Sequence, residues 1–282
     1  MKVLAIVVET CRELVHRRAL PVYFGIITLT HLFFLLALQT DVADGMIASL
    51  RVMGLQGRTS AGIRVEEFVG GLQLAIAFVL FPLGILMSVF ATASLVPRML
   101  ERGSIDLLLS KPVPRALLFA SRCLGALLAA GSSLVYLVGG LGVILGVKTG
   151  VWNGGFFLAG LLMALYFACL LGFLALSGVV SRSTSVAVMV TALLFLAGLV
   201  VRAPHEGTRW PLLITSRAWR FAARSVVETL YHVLPRTYDF GQMVTGLTLG
   251  REVVIWEPAL SSALAGAGAL AAATLYFARK DF

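Results

Sequence analysis

The sequence predicts an all-α integral membrane protein with six transmembrane helices, and three observations carry that prediction. The chain is 59% hydrophobic and only 13% charged over 282 residues, whereas soluble domains carry roughly 25% charged residues. Its mean hydropathy is +0.94. Its apolar residues also fall into six charge-free runs, at 19–40, 68–97, 123–147, 154–181, 183–201 and 258–278. A helix needs about 20 predominantly apolar residues to cross a bilayer, and a charge at its centre costs at least ~2.5 kcal/mol, so such runs mark spans. None of them alternates apolar with polar residues in segments of about ten, as the strands of a membrane barrel would.

Residues 1–18 precede the first run. Val3, Leu4, Val7, Val8, Cys11, Leu14 and Val15 recur at helical spacing, while Glu9, Arg12, Glu13, His16 and Arg17 take the other face. This is the pattern of an interfacial helix lying in the headgroup plane. No small-residue cleavage site follows an apolar segment there, which argues against a signal peptide. Pro21 falls in the first turn of the first span, where proline is tolerated. Pro82 and Gly84 interrupt the second run, and Gly139-Gly140-Leu141-Gly142 lies in the third. Trp152 and Gly154-Gly155 set the start of the fourth.

The segment 202–257 separates the fifth and sixth runs. Arg217, Arg220, Arg224, Glu228 and His232 repeat every three to four residues, and Trp219, Ala222, Val226, Leu230 and Val233 line another face. The spacing predicts an amphipathic helix over 215–234 on the membrane surface, closed by Leu234-Pro235. Arg217, Arg220 and Arg224 are candidate contacts for an anionic headgroup or substrate, although such a face is more often simply solvated. Trp210, Trp219, Tyr231, Tyr238 and Trp256 suit an interfacial aromatic belt.

Orientation follows from the short loops, because cytoplasmic loops carry the excess of Lys and Arg. With the N-terminus inside, that side collects Lys2, Arg12, Arg17, Arg18, Arg98, Arg102, Lys111, Arg115, Arg122, Arg182, Arg279 and Lys280. The opposite short loops hold Arg51, Arg58, Arg64 and Lys148. The seven arginines of 202–257 fall outside, in a loop long enough to weaken the rule. Both termini are therefore expected in the cytoplasm, and the net charge of +9 reads as membrane orientation and anionic-lipid contact, not nucleic-acid binding.

Catalytic motifs are missing where chemistry would require them. Gly146-Val147-Lys148-Thr149 lacks the spacing of a phosphate-binding loop. Cys11, Cys123 and Cys169 have neither paired nor metal-type spacing, and His16, His31, His205 and His232 are scattered, so no metal or cofactor is expected on this chain. Gly131-Ser132-Ser133 offers an intramembrane serine, but no histidine falls in a later span to activate it. Glu66-Glu67 reads as a hydrated span boundary. Ion-coupled carriers place charges deep in their spans, and only His31 is titratable at mid-span, so ion-coupled transport stays as an alternative through the Gly/Pro-interrupted helices.

The most informative stretch is 98–116, a charged and proline-punctuated island between the second and third runs. Ser104 or Asp106 can cap a short helical stretch there, and Lys111-Pro112-Val113-Pro114 forces an extended exit. Ile105, Leu108 and Leu109 add an apolar stripe suited to a groove on another protein; an ordinary interhelical loop is the competing reading.

At Glu101, Gly103, Ser104, Leu108, Leu109, Ser110, Pro112 and Arg115 this stretch resembles the corresponding segment of the type-2 ATP-binding-cassette exporter permeases. The resemblance extends to the amphipathic N-terminal helix, the six spans, Leu234-Pro235 and the C-terminal Phe277-Ala278-Arg279-Lys280-Asp281-Phe282. It implies a non-enzymatic membrane subunit of the bacterial inner membrane. Such a subunit pairs with a second copy or a related permease and with separate ATPase subunits that bind ATP and Mg. The ATPase-coupling residues it implies are Arg98, Glu101, Arg102, Gly103, Ser104, Ile105, Asp106, Leu108, Leu109, Ser110, Lys111, Pro112 and Arg115. A non-transporting assembly or signalling subunit is the remaining alternative.

Overall fold

The computed structural model describes residues 2–43, 46–52, 55–57, 64–100, 113–200, 231, 234–251 and 256–280. Among them, nine helices and one small sheet follow in order: α1 Lys2–His16, α2 Ala19–Ala37, β1 Leu38–Ala43, β2 Met46–Val52, β3 Leu55–Gly57, α3 Val65–Thr92, α4 Leu95–Met99, α5 Arg115–Thr149, α6 Gly154–Ser181, α7 Thr184–Val200, α8 Thr237–Thr248 and α9 Glu257–Arg279. Five of the described segments, α2, α3 with α4, α5, α6 and α9, are long and apolar enough to cross a membrane. The run at 183–201 forms α7, a 17-residue apolar helix. The protein is a helical, multi-pass membrane protein.

The boundaries expected from the charge-free runs lie close to those of the helices, with three differences. The first run ends in a strand. Leu38–Ala43, Met46–Val52 and Leu55–Gly57 pair as an antiparallel meander, with a register shift between Asp41 and Val42. This short meander is an addition to an otherwise all-helical fold: 38–57 has too few apolar residues in sequence to continue a span, and Asp44-Gly45 between the first two strands is a dipeptide that favours hairpins. Next, α5 begins at Arg115, eight residues before the apolar run, because the extended Pro114 immediately precedes its first turn. Finally, 237–248, expected within a surface loop, is a helix with Phe240, Met243 and Val244 buried against α6, α3 and α7. The amphipathic helix expected over 215–234, with Arg217, Arg220 and Arg224, lies almost wholly outside the described residues.

At the centre stands α6, which packs on α9, α5, α7, α8 and α3. Its Tyr166 is fully buried, with ring centroids at 4.6 Å from Phe240, 5.7 Å from Phe81 and 6.2 Å from Phe195. The Tyr166 hydroxyl bonds Thr237 Oγ1, which also donates to the carbonyl of Phe195 at 2.9 Å. At the other end of α8, Asn153 caps α6 by accepting from the amides of Gly155 and Phe156. Its amide nitrogen donates to Gln73 Oε1 and to the carbonyl of Thr248, both at 2.7 Å. α8 is thus fixed at both ends by polar groups whose desolvation these bonds offset.

Where α6 crosses α9, the backbones nearly touch. A Cβ at Gly172 would lie 2.1 Å from the carbonyl oxygen of Gly266, and one at Gly266 would lie 2.5 Å from the Cα of Cys169. Lipid supplies no hydrophobic drive between spans, so close backbone approach through small residues is how such helices gain dispersion energy. Span contacts of another kind hold α2. Tyr23 donates to the carbonyl of Gly84 at 3.1 Å, and His31 Nε2 lies 3.0 Å from the carbonyl of Leu137.

Candidate functional site

The sequence directs attention to 98–116, and the structure describes both ends of that segment. Residues 101–112 lie outside the described residues, and with them Glu101, Arg102, Gly103, Ser104, Ile105, Asp106, Leu108, Leu109, Ser110, Lys111 and Pro112. Arg98 is exposed on α4. Arg115 opens α5 and donates from Nη1 to the carbonyl of Lys280 at 3.2 Å, tying the start of this helix to the end of α9.

Around these ends lies a buried apolar cluster separate from the main core. It joins Val96, Met99 and Leu100 on the entering side with Leu118, Phe119 and Cys123 on the leaving side. Ile6 of α1, Ala175 and Val179 of α6, and Ala273 and Phe277 of α9 complete it. Phe119 stacks on Phe277 with centroids 5.2 Å apart. Three helices, α1, α6 and α9, and both flanks of 101–112 therefore share one packed unit, and packed interiors transmit displacement because they have little free volume.

A polar clamp sits beside the cluster. Glu13 Oε2 accepts from Arg122 Nη1 at 2.9 Å, and Glu13 Oε1 pairs with Arg17. Arg17 Nη1 reaches the carbonyl and the hydroxyl of Ser94, both at 3.3 Å. The Arg122 side chain is only 8% exposed, and its Nε is buried without a partner. These bonds connect α1, α5 and the turn at Ala93-Ser94 between α3 and α4. Thr10 packs on Gly125, and Cys11 Sγ donates to the Gly125 carbonyl at 3.6 Å. Burial raises the Cys11 pKa, which keeps the thiol protonated for that contact.

Sequence reasoning placed Glu13 and Arg122 as ordinary boundary charges and did not join them. The usable signal was that α1 carries two acidic residues, Glu9 and Glu13, on the face it shares with Arg12, His16 and Arg17. Arg98 and Arg115 are held at one end of the bundle, near α1 and the end of α9. Arg217, Arg220 and Arg224 lie outside the described residues, as noted above. Among the described residues no group of three or more His, Cys, Asp or Glu side chains is placed to hold a metal ion.

Packing at the cluster makes a direct prediction. Gly178 of α6 faces α4, where an added Cβ would lie 3.3 Å from Val96 and 3.4 Å from Pro97. Gly178→Leu is expected to destabilise the purified protein by about 1–3 kcal/mol through overpacking, read as a lowered melting temperature. Gly178→Ala should cost less, because the contact is tight without being forbidden and alanine gains ~1 kcal/mol of helix propensity.

The fold and this site define a polytopic helical membrane protein in which the two flanks of 101–112 are rooted in a packed unit shared with α1 and α9. The chain matches the family described as ABC-2 family transporter protein over residues 22–282, and it belongs to that family. A comparison with individually curated proteins gives no match.

Proposed function

We propose that this chain is the membrane-spanning permease subunit of an ATP-driven exporter, and that 98–116 is the segment through which a separate ATPase drives it. Family membership implies an ATPase partner. The observation that carries the coupling assignment is the common packed unit: Val96, Met99 and Leu100 before the segment and Leu118 and Phe119 after it are buried together with α1, α6 and α9. A push delivered to 101–112 has no slack to be lost in. In this reading Ile105, Leu108 and Leu109 bury apolar area in the ATPase, while Arg98, Glu101, Arg102 and Asp106 set orientation by charge.

The layout in this reading has six spans, with α7 as the fifth, and both termini in the cytoplasm of a bacterial cell with an inner membrane. Supporting it, α1, the flanks of 101–112 and the end of α9 lie together at one end of the bundle. ATP and Mg belong to the partner, this chain binds no cofactor, and two permease chains form the pathway. Leu108→Asp with Leu109→Asp tests the assignment by co-purification in mild detergent. Two leucines buried at about 1.5–3 kcal/mol each predict loss of the ATPase from the complex with the permease still inserted. An ATPase retained at equal stoichiometry would show that docking lies elsewhere.

A further inference from the structure

At the end of the bundle opposite α1, a groove of about 600 Å³ runs between α3 and α8, and a second of about 210 Å³ continues it toward α7. Phe78, Gln242 and Thr245 line both. Its walls change character along its length. Phe81 and Pro82 line the inner end, and Arg251 stands at the outer end.

Three features select an occupant. The first is length: from Gly71 to Pro82 α3 rises about 16 Å at 1.5 Å per residue, which is about half of a ~30 Å hydrocarbon core. The groove therefore spans one leaflet. The second is polarity. Gln242 is exposed on a membrane-facing wall, where an amide is costly unless bonded; its Nε2 donates to the Tyr238 hydroxyl at 3.2 Å and keeps a second N–H for an ester carbonyl. The third is charge. Arg251 is exposed and makes no ion pair among the described residues, including with Glu66 and Glu67 in the first turn of α3. A guanidinium at headgroup level is suited to phosphate through charge-assisted hydrogen bonds.

We infer that this groove binds one anionic phospholipid, with its phosphate on Arg251, its ester region at Gln242 and an acyl chain along Phe78 and Phe81. The site is independent of any ATPase partner.

Native mass spectrometry of the full chain in mild detergent tests it, with phosphatidylglycerol or phosphatidylcholine of matched acyl chains added. The wild type is expected to retain one phosphatidylglycerol with about tenfold preference over phosphatidylcholine, the size set by one charged hydrogen-bonded contact. Arg251→Gln should remove the preference, weakening phosphatidylglycerol more than phosphatidylcholine, whose choline cation already opposes the guanidinium. Gly71→Leu should lose both lipids at this site: an added Cβ at Gly71 meets nothing within 4 Å, so the larger side chain enters the groove without disturbing the helix. Equal retention of the two lipids by the wild type, an unchanged preference in Arg251→Gln, or undiminished lipid in Gly71→Leu would overturn the assignment. So would a lipid-free dimer that Gly71→Leu converts to monomer, which would make a second copy of the chain the occupant.

Discussion

Gly266→Leu is expected to abolish recovery of folded protein, seen as loss of the monodisperse peak in size-exclusion chromatography from detergent. The group that a side chain at 266 would meet is backbone: the Cα of Cys169 at 2.5 Å and its carbonyl oxygen at 2.6 Å. Backbone cannot swing aside as a side chain can, so α6 and α9 must separate, and overpacking that ordinarily costs about 1–3 kcal/mol becomes loss of the crossing. Gly268→Leu is the matched control. It changes the same residue type on the same helix two positions on, where a Cβ meets nothing within 4 Å, and it should elute like the wild type. Equal behaviour of the two variants would show that α6 and α9 do not approach so closely.

Glu13→Ala should be the next most damaging change, costing about 3 kcal/mol. Removing one partner of a buried ion pair leaves the other charge uncompensated, at 3–5 kcal/mol, and the lower end applies because the Glu13 side chain is 26% exposed. The signature is rescue. Glu13→Ala combined with Arg122→Met should recover most of the lost thermal stability, since the stranded guanidinium is then gone. Failure of the second substitution to restore the melting temperature would mean that Glu13 acts through Arg17 and Ser94 alone.

Much of the fold was legible because lipid allows few solutions. A run such as 154–181 has no charge to place and no water to satisfy its backbone, so it must be a helix, and α6 is Gly154–Ser181. What stayed hidden depends on partners far apart in sequence. α8 reads as loop because Phe240, Met243 and Val244 are interleaved with Tyr238, Gln242 and Thr245, and its burial follows only from Tyr166 and the Phe195 carbonyl holding Thr237. The meeting of Gly266 with Gly172 is another pairing of distant positions, one that no local pattern in 258–278 specifies. In the candidate site, Arg98 and Arg115 could be named from the motif. The pairing of Arg122 with Glu13 could not, since the two are 109 positions apart and each looks like a routine boundary charge.

The two legs that carry 101–112 are mechanically unlike. The entering leg holds Pro82 inside α3 and the turn at Ala93-Ser94. Each of these bends or softens a helix. The leaving leg, α5, runs 35 residues from Arg115 to Thr149 with no proline and no turn, a stiff rod about 52 Å long at 1.5 Å per residue. Its buried residues run from Leu118 to Thr149, so a push at Arg115 is carried along the whole rod. The same push at Met99 meets the turn at Ala93-Ser94, which Arg17 ties to the end of α1, so the entering leg hands it sideways while the leaving leg carries it lengthwise.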